Sequence, residues 1–84
     1  MSLIHVKEII NGDYSVTLQV DGRLDDSSIP TLDEICNRYL KDGRKIHILL
    51  GGLYHISRDG RKFLDAIKDK VVLEKLPSFI KLDD

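Results

Sequence analysis

Apolar and polar positions alternate without a break from Tyr14 to Val20. Tyr14, Val16, Leu18 and Val20 share one face, and Ser15, Thr17 and Gln19 share the other. Period two with β-branched residues predicts a strand with one wet face. Leu3 to Ile9 alternates more loosely and meets Asn11-Gly12-Asp13, a hairpin turn signal, so the first two strands are expected to form an antiparallel hairpin. Asp21-Gly22 is read as the end of the second strand. The period then changes: Leu32, Ile35, Cys36, Tyr39 and Leu40 recur at helical spacing, with Asp33, Glu34, Asn37, Arg38 and Lys41 on the solvated side. Two starts fit this helix: Ser27 or Ser28 as cap with Pro30 in the first turn, or Thr31 as cap with Glu34 completing a capping box. Gly43 marks its end.

Lys45-Ile46-His47-Ile48-Leu49-Leu50 is apolar enough to predict a central strand covered on both faces, stopped by Gly51-Gly52. Leu53, Tyr54 and Ile56 are expected to stay packed. A second helix begins near Arg58–Gly60, with Gly60, Phe63, Leu64 and Ile67 inward; a glycine there implies close approach of the first turn to the sheet. Val71-Val72-Leu73 suits a short strand, and Pro77 opens a last helical turn carrying Phe79, Ile80 and Leu82, with Asp83 and Asp84 frayed. The order β-β-α-β-α-β predicts an α/β fold: a mixed, mostly parallel sheet with helices packed against it.

Composition narrows the function classes. At 84 residues the chain is read as one domain spanning positions 1–84, able to build a core but no deep cavity for a large cofactor. Thirteen basic against fourteen acidic residues, net −1, argue against a nucleic-acid surface. The lone Cys36 rules out an internal disulfide and suggests a reducing compartment. No stretch approaches the roughly 20 apolar residues of a membrane span, and Met-Ser-Leu-Ile-His-Val lacks the features of a signal peptide. A cytoplasmic protein without direct membrane insertion is therefore expected.

The segment Lys45 to Gly60 reads as a strand delivering a polar loop onto a helix start, the place where α/β domains meet ligands and partners. Two local patterns give it a family likeness. Asp21-Gly22-Arg23-Leu24-Asp25 looks like a Gly-x-Leu-Asp strand end, and Ile48 to Gly60 looks like a strand entering an Asp-Ser-Ser-Gly loop and a helix. In these and in their spacing, from about Val16 to Leu73, the chain resembles the STAS domains of sulfate transporters and anti-sigma factor antagonists. The resemblance implies a STAS-like fold, an interaction module of bacterial style and no enzymatic activity. It implies docking through Asp25, Asp26, Ser57, Arg58, Asp59, Gly60 and Arg61, on an anti-sigma factor or serine-kinase-like protein, or on a transporter ATPase. A homodimer is also compatible with it.

Departures from the family pattern carry information. The serine that a partner kinase phosphorylates in the family aligns with Asp59. The loop-opening Asp is Ser57, the intervening serine is Arg58, and the strand's usual acidic residue is Leu49. Ser57 is thus a substitute phosphosite, or a cap serine. Asp59 is either a fixed negative charge in place of phosphoserine or a first-turn acid favoured by the helix dipole. Full-length relatives carry further elements after Leu82. No cofactor is expected. Asp25, Asp26 and Asp59 have no cation-loop spacing, His5, His47 and His55 no zinc spacing, and Gly51-Gly52 lacks the rest of a phosphate loop. His47 is expected half-buried in a strand, His55 in a loop, and Cys36 as a small apolar core residue.

Overall fold

The computed structural model describes residues 3–79. Strands β1 (Ile4–Asn11) and β2 (Ser15–Leu24) precede helix α1 (Ile29–Lys41). Strand β3 (Lys45–Ile56), helix α2 (Arg58–Ile67) and strand β4 (Val72–Glu74) follow. The sheet runs β1-β2-β3-β4, with β1 antiparallel to β2 and the pairs β2–β3 and β3–β4 parallel. The hairpin and both parallel crossovers thus agree with the sequence pattern. The tail agrees less: no helical turn opens at Pro77, residues 78–79 form a turn, and Ile80, Leu82, Asp83 and Asp84 lie outside the described residues.

One face of the sheet carries the core. Val16, Leu18 and Val20 of β2, with Ile46, Ile48 and Leu50 of β3, have no exposed surface, and Leu32, Cys36, Leu64 and Ile67 of the two helices pack into the same cluster. Parallel crossovers are right-handed as a rule, and two taken in the same direction along the sheet put both helices on one side. The prediction that β3 is covered on both faces is therefore corrected: among the described residues its other face carries exposed Lys45 and half-exposed His47 and Leu49.

Strand β2 also departs from expectation at each end. Tyr14 does not join the buried row; it sits in the hairpin turn, 81% exposed. Gly22 does not end the strand. It lies at φ +104°, where a Cβ would come within 2.1 Å of the Leu3 carbonyl oxygen, and the ladder continues to Leu24. Glycine here permits a close crossing, which sequence cannot distinguish from a stop.

The same ambiguity affects Gly51-Gly52. Strand β3 passes through both glycines to Ile56, with two register shifts against β2: Gln19 faces Leu49 but Asp21 faces Gly52, and Gly22 faces Leu53 but Arg23 faces His55. Each shift inserts an extra β3 residue, so two bulges replace the expected stop. Asp21 explains one glycine, since a Cβ on Gly52 would lie 1.7 Å from its Oδ1. The bulges also break alternation, leaving Tyr54 (64% exposed) and its neighbour His55 both in solvent. Tyr54 is thus not packed as expected, and His55 is a strand residue, not a loop residue.

The helix boundaries follow from their caps. Helix α1 has Ser28 at its N-cap position and Pro30 in its first turn, which decides the start against Thr31, but the Ser28 side chain makes no capping hydrogen bond. It ends with Gly43 at φ +71°, whose N–H donates to the Leu40 carbonyl while the Arg44 N–H donates to the Tyr39 carbonyl. This two-bond closure is the Schellman arrangement that favours glycine. Arg38 and Tyr39 then fasten α1 to β1, both donating to Glu8 Oε1, Arg38 Nη2 at 2.7 Å. Cys36 is buried, and burial together with the nearby Asp33 charge pushes its thiol up to about 11.

Candidate functional site

The two loops singled out by sequence leave the same end of the sheet, because β2 and β3 are parallel. The β2–α1 loop is closed by its own side chains. Asp25 Oδ1 accepts from Ser27 N–H (3.1 Å), Ser27 Oγ (2.7 Å) and Ser28 N–H (3.2 Å). This is an Asx turn extended by the Ser27 hydroxyl. Arg23 Nε stands 3.6 Å from Asp25 Oδ2. The hydrogen bond from the Ser27 hydroxyl is the main cause that lowers the Asp25 carboxyl below its ordinary 3.8, with the Ser27 and Ser28 amides adding to it against a desolvation that raises it. Asp26 carries no such bonds and is exposed.

Ser28 stands at the N-cap position of α1, yet its hydroxyl bonds back to the strand and the loop and caps nothing. It is fully buried; its Oγ accepts from the Asp25 N–H (2.9 Å) and lies 2.8 Å from the Arg23 carbonyl oxygen. One hydroxyl therefore bonds both a strand carbonyl and a loop amide, each partly withdrawn from water.

The β3–α2 loop is simpler. Ser57 is the N-cap of α2, half-buried, its Oγ accepting from the Gly60 N–H at 3.0 Å. Its own N–H donates to the Leu24 carbonyl (2.9 Å), and its carbonyl accepts from the Arg61 N–H (2.9 Å). Gly60 is buried against β2: a Cβ would meet the Leu24 carbonyl oxygen at 2.5 Å and Ile56 Cγ2 at 3.0 Å. The close approach read from the inward glycine is present. Arg58, Asp59 and Arg61 are exposed, with Asp59 in the first turn of α2.

The Leu24 carbonyl is the junction of the two loops. It receives the Ser57 amide and faces the Gly60 Cα, and Asp25 is the next residue along the chain. The chain matches no protein-family model and no curated protein. What the site can do therefore rests on its own chemistry. Its exposed groups are Asp26, Ser27, Arg58, Asp59 and Arg61, charges of both signs on a fixed backbone.

That set suits polar recognition more than covalent chemistry. The Ser57 hydroxyl has no base bonded to it and serves as a cap. Among the described residues, no three His, Cys, Asp or Glu side chains are placed to hold a metal ion, so Asp25, Asp26 and Asp59 do not converge on a cation. His47 lies half-buried on the open face of the sheet, its Nδ1 3.4 Å from Glu74 Oε1, and takes no part in the loops. Along α2 and the turn that follows it, Arg61, Lys62 and Asp69 are exposed, while Asp65 and Lys68 are half-buried and 2.9 Å apart.

Proposed function

We propose that the chain is a STAS-like interaction module of the anti-sigma factor antagonist type, which docks reversibly on a regulatory protein and acts without catalysing a reaction. The observation that supports this reading best is the Leu24 junction, which holds the Asp25–Ser28 and Ser57–Arg61 loops against each other at one end of the sheet. The order β-β-α-β-α-β and the antiparallel-then-parallel sheet agree with it. Asp59 stands exposed in the first turn of α2, where the resembled family carries its phosphorylated serine. One fixed carboxylate supplies about half the charge of a phosphoserine at that helix start, so the module is held toward one end of the switch. Docking works by competition, releasing whatever the partner otherwise holds.

A second reading is a STAS-like subunit of a transport or signalling complex that needs no phosphorylation. The exposed Asp59, a carboxylate where a hydroxyl would be needed for phosphorylation, favours it equally. Capture of partners from the native cell, with the wild-type chain and the Asp59→Ser variant, separates the two. An anti-sigma-type serine kinase that binds both and phosphorylates only the variant supports the first reading. A transporter ATPase that binds both equally supports the second. If neither class binds, or binding survives reversal of Arg58 and Arg61 to Glu, docking through this surface is wrong.

A further inference from the structure

β1 is the outer strand of the sheet. It is eight residues long, whereas β4 at the opposite edge has three. The Arg23 N–H donates to the Leu3 carbonyl, and the β1–β2 register runs unbroken from Ile4↔Gly22 to Asn11↔Ser15. In an antiparallel ladder the bonded residues alternate. Leu3, His5, Lys7, Ile9 and Asn11 therefore bond toward β2, and Ile4, Val6, Glu8 and Ile10 direct their N–H and C=O groups outward. Leu3, Ile9 and Ile10 are also 58%, 37% and 51% exposed. No proline or bulge protects the strand, and Lys7 is its one lysine.

We propose that this edge pairs with the same edge of a second copy, β1 against β1 antiparallel about a two-fold axis through Lys7, giving one continuous eight-stranded sheet. That register matches Ile4 with Ile10, Val6 with Glu8, His5 with Ile9 and Leu3 with Asn11 across the axis. It uses the whole strand and bonds only the outward-facing residues. The exposed Ile10 is covered by Ile4 on the helix-bearing face. Glu8 is already neutralised by Arg38 and hydrogen-bonded by Tyr39, so it brings no unpaired charge into the junction. A two-fold at Glu8 would set two carboxylates face to face, and one at Val6 would carry Ile10 past Leu3 of the partner.

Charge on α1 favours the same occupant. The two-fold runs the two α1 helices antiparallel on one face. Glu34 and Arg38 line the same shallow depression one turn apart on α1, and Arg38 reaches β1. Reversal of the helix brings Glu34 of one copy toward Arg38 of the other, a complementary pairing. Lys7 against Lys7 is the unfavourable contact, since like charges directly opposite repel. Strand pairing of this extent falls at the low end of interface sizes, below roughly 1,200 Å², so the dimer is concentration-dependent.

Sedimentation of the full chain over a wide concentration series tests this. A shift from 9.6 kDa toward twice that mass is expected. The dimer is expected to weaken at least tenfold in Ile10→Lys and to strengthen in Lys7→Thr. Lys7→Cys puts two thiols at a non-hydrogen-bonded pair, with Cα atoms about 4.5 Å apart, within disulfide reach. Mild oxidation should cross-link it rapidly, while Ile9→Cys, four residues off register from its own copy, stays uncross-linked. Buried Cys36 remains outside the exchange. A chain that stays monomeric throughout overturns the proposal. So does a dimer in which Lys7→Cys links no faster than Ile9→Cys, or one that Ile10→Lys leaves intact.

Discussion

The two βα loops leave the same end of the sheet yet are built by opposite means. Asp25–Ser28 is held from within: one carboxylate oxygen collects three donors, and the buried Ser28 hydroxyl ties the loop to the Arg23 carbonyl. Ser57–Gly60 has a single side-chain cap and rests on the backbone of its neighbour. The first loop spends its polar groups on its own shape. The second leaves Arg58, Asp59 and Arg61 free to meet a partner because Leu24, one residue before the first loop, fixes its position. Scaffold and display are divided between them.

The contact between the loops is the most sensitive point of this division. Gly60→Ala drives a methyl group into the Leu24 carbonyl, and backbone cannot yield as a side-chain tip can. We expect a loss of about 3 kcal/mol, high in the range for overpacking, measured by urea unfolding. A loss under about 0.5 kcal/mol, within the noise of ordinary surface substitutions, would mean that the loops are not held together there.

Ser28→Ala strikes the scaffold loop alone. It removes the hydroxyl between the Arg23 carbonyl and the Asp25 amide, and the expected cost is about 2 kcal/mol for buried groups left unpaired. Asp25 gives the same loop a pH signature. Its carboxyl is held below the ordinary 3.8, chiefly by the Ser27 hydroxyl. The lowered value means the ionised form is favoured by folding, so this stability is present above about pH 3.8 and is lost as pH falls through the folded value. Asp25→Asn is expected to flatten the acid limb of the stability curve in that window, followed by circular dichroism. An unchanged acid limb would show that the loop's donors do not act on the charge.

These sensitivities explain what the sequence could and could not reveal. The helical stripe Leu32, Cys36 and the strand rows Val16–Val20 and Ile46–Leu50 were legible because burial imposes a period, and Gly60 because an inward glycine implies contact. Gly22, Gly51 and Gly52 were misread as stops, since a turn, a bulge and a tight crossing all call for the residue without a Cβ. Tyr54 and His55 were misplaced for the same reason, as bulges break the alternation on which strand reading depends. Ser28 was legible as the position where α1 begins but not as a bridge, because its partner, the Arg23 carbonyl, is brought to it only by the continuation of β2. Both loops were located; what separates their roles lies in hydrogen bonds that no spacing encodes.

The display loop should tolerate change better than the scaffold. Ser57→Ala removes the bond to the Gly60 amide, with an expected cost of about 1 kcal/mol for a lost N-cap. Its effect should be half that of Ser28→Ala or less, and the reverse ranking would overturn the assignment of scaffold and display.

Asp59→Ser should have the smallest effect of all. Asp59 is exposed in the first turn of α2, where a carboxylate gains about 0.3–1 kcal/mol from the helix dipole. Serine can no longer supply that charge but strains nothing, so a loss of roughly 0.5 kcal/mol is expected, shrinking as salt is added. Comparing unfolding at low and high ionic strength reads it directly. A large, salt-independent loss would make Asp59 part of the scaffold after all. A small, screened one leaves its charge available at the surface, which a docking loop requires and a buried cap would not.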